Sequence, residues 1–144
     1  MASWSEFEAA APELAAGVRR HLDAHTHKTL ATVRADGSPR ISGSESRFVD
    51  GELWIGSMWD ALKARDLRRD PRFALHSGSP DPDAGWIGDA KIAGLAVEVT
   101  ERGATSHRFR LDITELVVVT LGDPADHLVI ESWHEGRGLK RIRR

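Results

Sequence analysis

Thr29-Leu-Ala-Thr-Val-Arg34, Asp36-Gly37, Pro39-Arg-Ile-Ser-Gly-Ser-Glu-Ser-Arg-Phe-Val49, Asp50-Gly51 and Glu52-Leu-Trp-Ile-Gly56 follow one another almost without a break. The longer pieces have strand chemistry. The two Asp-Gly pairs are hairpin signals, because such turns need positive φ and glycine supplies it without a steric cost. Two tight turns in succession make an antiparallel meander of three strands. Gly43 predicts a kink in the second of them.

Upstream, the pattern has a different period. Ser3 with Glu6 and Ser5 with Glu8 form overlapping capping boxes. Pro12 interrupts that first turn and opens a second helix, where Leu14, Val18 and Leu22 recur at spacing four. His25-Thr-His27 ends it. Downstream of the meander, Asp60 to Arg69 reads as a short helix with Asp60 as N-cap and Leu67 as its main buried side chain. Asp70-Pro71 stops that helix, and Phe73 to His76 follows as a short strand. Ser79 to Gly85 is a turn-rich surface loop. Ala90 to Glu101 alternates imperfectly around Gly94, Arg108 to Ile113 alternates cleanly, and Leu116 to Leu121 is the unbroken apolar run of a central strand. His127 to Trp133 adds a further segment after the turn at Gly122 to Asp126. The expected architecture is mainly β, an antiparallel barrel or sandwich in a single domain over 1–144. Residues 1–27 form a helical segment and 134–144 a basic tail.

At 144 residues with 40% apolar content, the chain can bury a substantial core without metal or disulfide staples. It has no cysteine, which excludes disulfides, thiolate catalysis and thiolate-ligated metals. No apolar run approaches the ~20 residues of a membrane span. No signal peptide is visible after Met1, so a soluble cytoplasmic protein is expected. A net charge of −2 argues against bulk nucleic-acid binding, although Arg137, Lys140, Arg141, Arg143 and Arg144 crowd the end of the chain.

Gly56-Ser-Met-Trp-Asp-Ala-Leu-Lys-Ala-Arg65 joins a strand to a helix. Free backbone amides and the dipole at a helix start attract phosphate, and Ser57 and Lys63 would add a hydroxyl and a charge. A capped surface helix with a solvated Lys63 is the alternative. His21, His25, His27, His76, His107, His127 and His134 are dispersed, and no metal site is expected. Ser42, Ser44 and Ser46 alternate without a His–Asp pair to activate them, so no catalytic residue is assigned. Asp81 and Asp83 merely solvate their loop. Trp54 reads as core, whereas Trp59 and Trp86 in loops suggest a ligand or a partner subunit.

In the order of its elements the chain resembles the pyridoxamine 5′-phosphate oxidase-like family, the flavin-binding split β-barrels. The resemblance rests on Thr29 to Ser42, Gly51 to Ser57 and above all Leu62-Lys-Ala-Arg-Asp-Leu-Arg-Arg-Asp-Pro-Arg-Phe-Ala-Leu75, and it extends through Lys91 to Gly94 and Trp133 to Gly138. It implies a Greek-key split barrel of about six strands and a homodimer with an FMN cleft between subunits. Ile41, Ser42 and Gly43 would border the isoalloxazine ring, Ser57 and Lys63 would hold the phosphate, and Arg40 is a further candidate. Met58 and Trp133 complete the expected cofactor set, with Trp59, Trp86 and Trp133 as stacking surfaces.

The chain also departs from the family. A second basic residue often precedes the helix lysine; Leu62 stands there instead. The C-terminal Arg-Leu-His/Asp-Arg pattern is replaced by Trp133-His-Glu-Gly-Arg-Gly138, so vitamin B6 oxidation is not expected. The short build and basic tail look like actinobacterial branches, some of which use the deazaflavin F-420, while other members of the fold handle haem. The resulting expectation is an FMN-dependent oxidoreductase acting on a small organic molecule. A deazaflavin-dependent reductase and a non-catalytic flavin or haem carrier are the alternatives.

Overall fold

The computed structural model describes residues 1–78 and 85–144. The expected proline-rich loop, with Asp81 and Asp83, lies outside them apart from Gly85. Two helices lead, α1 (Trp4–Ala10) and α2 (Pro12–Asp23). The Ser3 capping box forms: Ser3 Oγ accepts from the Glu6 amide at 3.2 Å, and the Glu6 carboxylate from the Ser3 amide at 3.0 Å. The second box, Ser5 with Glu8, does not. Ser5 Oγ instead donates to the Gly51 carbonyl at 2.6 Å, tying α1 to a hairpin turn. Leu14, Val18 and Leu22 are all buried, as their spacing requires.

The meander is β1 (His27–Val33), β2 (Pro39–Val49) and β3 (Glu52–Met58). Its turns carry Gly37 at φ 86°, Asp50 at φ 50° and Gly51 at φ 77°. Then come α3 (Leu62–Arg69), β4 (Arg72–His76), β5 (Asp89–Glu98), β6 (Ser106–Leu121), β7 (Leu128–His134) and β8 (Gly138–Arg143). The sheet runs β3-β2-β1-β4-β5-β6 and closes where β3 pairs with β6; β7 and β8 continue from β6 outside the closure. This is a closed six-strand antiparallel barrel with two added strands.

Three local expectations are corrected. Arg108–Ile113 and Leu116–Leu121 are not two strands but parts of β6, which is 16 residues long. Gly94 pairs with Ile113 but Ala93 pairs with Glu115, so Thr114 is an extra residue on β6. That bulge reverses the inward phase from Phe109, Leu111 and Ile113 to Leu116 and Val118, which is why one strand reads as two. The basic segment after Trp133 is not a free tail: β8 pairs with β7 from Val129↔Arg143 to His134↔Gly138. Asp60 does not cap α3. It sits at φ 57° with its carboxylate on Arg65, and the N-cap position is Ala61, which has no side-chain acceptor.

One core fills the barrel and runs under the two leading helices. Trp4 packs on Phe48 and Phe7, and Phe7 packs edge-on against Trp133 at 5.1 Å. Leu67 is buried on α3 together with Ala64 and Asp66. No helix among the described residues is long and apolar enough to cross a membrane.

Candidate functional site

β2 changes partners along its length. Pro39–Glu45 pair with β1, and Ser46–Val49 pair with β3. β3 in turn continues from Trp54 to Met58 on β6. Beyond Ser46 and Ile55 the two strands diverge, and a cleft of about 590 Å³ opens where their ladder has ended. Its floor is bare backbone at Gly43 and Gly56, with open space around the position a Gly43 Cβ would take. Val49, Trp54 and Met58 supply apolar walls; Arg47, Lys63 and Arg108 supply positive charge, against the carboxylate of Glu45. A glycine floor, apolar sides and cationic side chains in the lining suit a planar ligand bearing an anion.

Lys63 reaches this cleft from the first turn of α3. Its ammonium donates to the Gly43 carbonyl at 2.9 Å, a backbone acceptor beyond the end of the β2–β3 ladder. Burial pulls the Lys63 pKa below the ordinary lysine value, with Glu45 opposing the shift. Ser57 is buried at the same end, its hydroxyl donating to the Met58 carbonyl at 3.0 Å. The Arg108 guanidinium lies 3.9 Å above the Trp54 ring. Trp54, expected in the core, is therefore a half-buried cleft residue, because Leu53, Ile55 and Ser57 take the inward positions of β3.

Of the other residues singled out in the sequence, Met58 stands exposed at the cleft and Ile41 lies further along the same outer face of β2. Ser42 has the opposite parity and faces away. Arg40 is engaged elsewhere, its Nε 2.7 Å from Asp66. Asp66 also accepts from Thr32 at 2.8 Å and Arg69 at 3.0 Å. Burial alone would raise the Asp66 pKa, but these donors reverse the effect and hold it below the usual carboxylate value. Trp133 is buried against Phe7 and does not reach the cleft. Trp59 is exposed beside it, and Trp86 is half-buried.

His107 carries no expectation from the sequence beyond dispersal, yet it lies under the cleft. The ring is buried, stacked on Trp59 at 4.4 Å, with Nδ1 2.8 Å from Glu98 Oε1 and Nε2 accepting from the Asp60 amide at 3.0 Å. Glu98 also meets Arg68 at 3.0 Å. Burial would raise the Glu98 pKa, but hydrogen bonds from His107 and Thr100 and the Arg68 charge leave it lowered. One signal was present in the sequence: alternation through Phe109 and Leu111 points residue 107 inward. Among the described residues, no group of three His, Cys, Asp or Glu gathers into a metal site.

The barrel that opens between β2 and β3 defines the class: a split β-barrel. No family model and no curated protein sequence matches the chain. Among solved structures it is similar to PhzG from Burkholderia lata, in complex with tetrahydrophenazine-1-carboxylic acid, at TM-score 0.64 and 13% identity over 96% of this chain and 88% of that one. It is similar to a protein of Listeria innocua provisionally assigned as a pyridoxamine 5′-phosphate oxidase, at TM-score 0.60 and 16% identity over 72% and 95%. HutZ, the heme storage protein of Vibrio cholerae, matches at TM-score 0.58 and 15% identity over 69% and 89%. The structural neighbours thus include pyridoxamine 5′-phosphate oxidase-like split-barrel proteins, and at these identities the likeness is one of fold.

Proposed function

We propose that the chain is a flavin-binding oxidoreductase that holds FMN in the β2–β3 cleft and acts on a small organic molecule. The observation that carries this reading is the pairing of a glycine floor with three cationic side chains in the lining, Lys63 against Gly43 and Arg47 and Arg108 beside Trp54. Lys63 and Arg108 would bind the phosphate, and Ser57 can add a hydroxyl by turning from the Met58 carbonyl. Gly43 and Gly56 would let a flat ring lie against the backbone, and Val49 and Met58 would exclude water from its edges. FMN would supply the electron or hydride transfer, leaving position and polarity to the protein.

A second copy of the chain fits this reading. Ile41, Met58, Trp59 and Leu62 are exposed apolar side chains around the open cleft, and an isologous dimer would cover them and supply its missing wall. Haem has fewer partners here. Haem iron takes imidazole, thioether, thiolate or phenolate ligands; the chain has no cysteine or tyrosine, both nitrogens of His107 are occupied, and His27 and Met58 are left among the cleft residues. The F-420 deazaflavin shares the planar ring and phosphate, and the same retention measurement with F-420 in place of FMN tests it.

The test is the visible spectrum of the purified protein after incubation with FMN and gel filtration. A retained flavin spectrum that is reduced and then reoxidised by an acceptor faster than free FMN supports the enzyme. Retention without faster turnover leaves a carrier, and no retention at micromolar FMN overturns the FMN reading.

A further inference from the structure

We propose that His107 is the positioning residue of the Lys63 end of the cleft: through Nε2 it holds the Asp60 amide, and with it the turn from which Trp59 and Lys63 project. The inference rests on the flavin reading for its link to the cofactor, but its structural part stands on the contacts alone.

The turn between β3 and α3 has few internal supports. Ala61 donates to the Met58 carbonyl at 3.2 Å and Arg65 holds the Asp60 carboxylate at 2.8 Å, but α3 lacks a side-chain cap, and Asp60 occupies left-handed backbone at φ 57°. Aspartate tolerates that conformation better than most residues, but it still carries a cost that local contacts offset. The Asp60 amide points inward to His107 Nε2 at 3.0 Å, a partner 47 residues away on β6. An amide can donate there only if that nitrogen carries no proton, so the proton of a neutral ring sits on Nδ1. Glu98 Oε1, 2.8 Å from Nδ1, accepts it. Glu98 is itself anchored by Arg68 at the other end of α3, so one carboxylate ties both ends of that helix to the barrel. Trp59 lies flat on the imidazole, with 6° between the planes, a second contact that seats the turn on His107. Lys63, three residues beyond Asp60, bonds to Gly43 from that seat.

Two amide substitutions separate a positioning role from plain core filling. In His107→Gln the terminal amide reaches the place of Nε2 and can still accept from Asp60. In His107→Asn it reaches only the place of Nδ1 and serves Glu98 instead. The expected result is an FMN affinity within about threefold of wild type for H107Q and at least tenfold weaker for H107N, with the Asp60 amide exchanging at least tenfold faster in H107N than in H107Q. Equal losses in both variants, or an unaffected H107N, overturn the proposal. If neither variant folds, nitrogen chemical shifts of the wild-type ring decide. In mildly alkaline buffer, a proton on Nδ1 supports the proposal and a proton on Nε2 overturns it. Wild type that fails to bind FMN removes the functional reading and the cofactor link, while Asp60 exchange and the tautomer still decide whether His107 locks the turn.

Discussion

Lys63 and Gly43 meet across the opening of the barrel, ammonium to carbonyl at 2.9 Å, just past the end of the ladder between β2 and β3. The lysine thus occupies a position that a strand would fill in a continuous sheet. Its charge is held at the cleft before any ligand arrives.

Lys63→Ala removes that charge without opening the core. FMN affinity should fall by ~1.5–3 kcal/mol, the range for a hydrogen bond to a charged group. Circular dichroism should remain unchanged. Fluorescence titration of FMN into both proteins checks this, and equal affinities would exclude Lys63 from the site.

Ile41 and Met58 are 75% and 81% exposed on the face around the cleft. Light scattering at micromolar concentration should return about twice the chain mass if that face pairs with its copy. Ile41→Asp with Met58→Asp should shift the protein to monomer and weaken FMN binding together. A double variant that stays dimeric would place the interface elsewhere.

Asp66→Asn should destabilise the fold by about 3 kcal/mol, the low end for breaking a buried ion pair, because Arg40 and Arg69 still reach water. The pH dependence follows from the depressed Asp66 pKa. The stabilisation is complete above the unfolded-state value of about 3.9 and disappears as pH falls through the lower folded value. Urea unfolding at neutral and acidic pH should show the gap between wild type and D66N closing in acid; a constant gap would contradict the assignment.

Gly94→Ala would bring a Cβ within 1.9 Å of the Asp112 carbonyl oxygen at the bulge between β5 and β6. Backbone on both sides must move, so a loss of more than ~2 kcal/mol is expected, well above the ordinary Gly-to-Ala effect. A thermal melt within a few degrees of wild type would mean that the bulge relaxes freely.

The meander was legible because Asp36-Gly37 and Asp50-Gly51 act locally: each turn is specified by residues that touch. The leading helices were legible for the same reason, through Ser3, Pro12 and the Leu14, Val18, Leu22 stripe. Misreadings occurred where a distant partner decides. Asp60 has the chemistry of a cap, but Arg65 takes its carboxylate and His107 its amide. Thr114 conceals a continuous strand, because the bulge opposite Gly94 shifts the phase. Trp133 has the aromatic character of a ligand contact, and α1 folds back to bury it. Of the residues that line the cleft, Ser57 and Lys63 were marked by the strand-to-helix segment, and Gly43 and Met58 only through the family resemblance. Arg108 and His107 needed the closure of β3 on β6 to come near them, while Arg47 and Trp54 face each other across the β2–β3 hairpin.

That closure also bears on how the chain is made. β3 finds its second neighbour only in β6, with Trp54 opposite Arg110, so a nascent chain must wait with one long edge unpaired until Ser106 and its successors have left the ribosome. In that interval β3 offers open hydrogen-bonding groups to any other strand it meets.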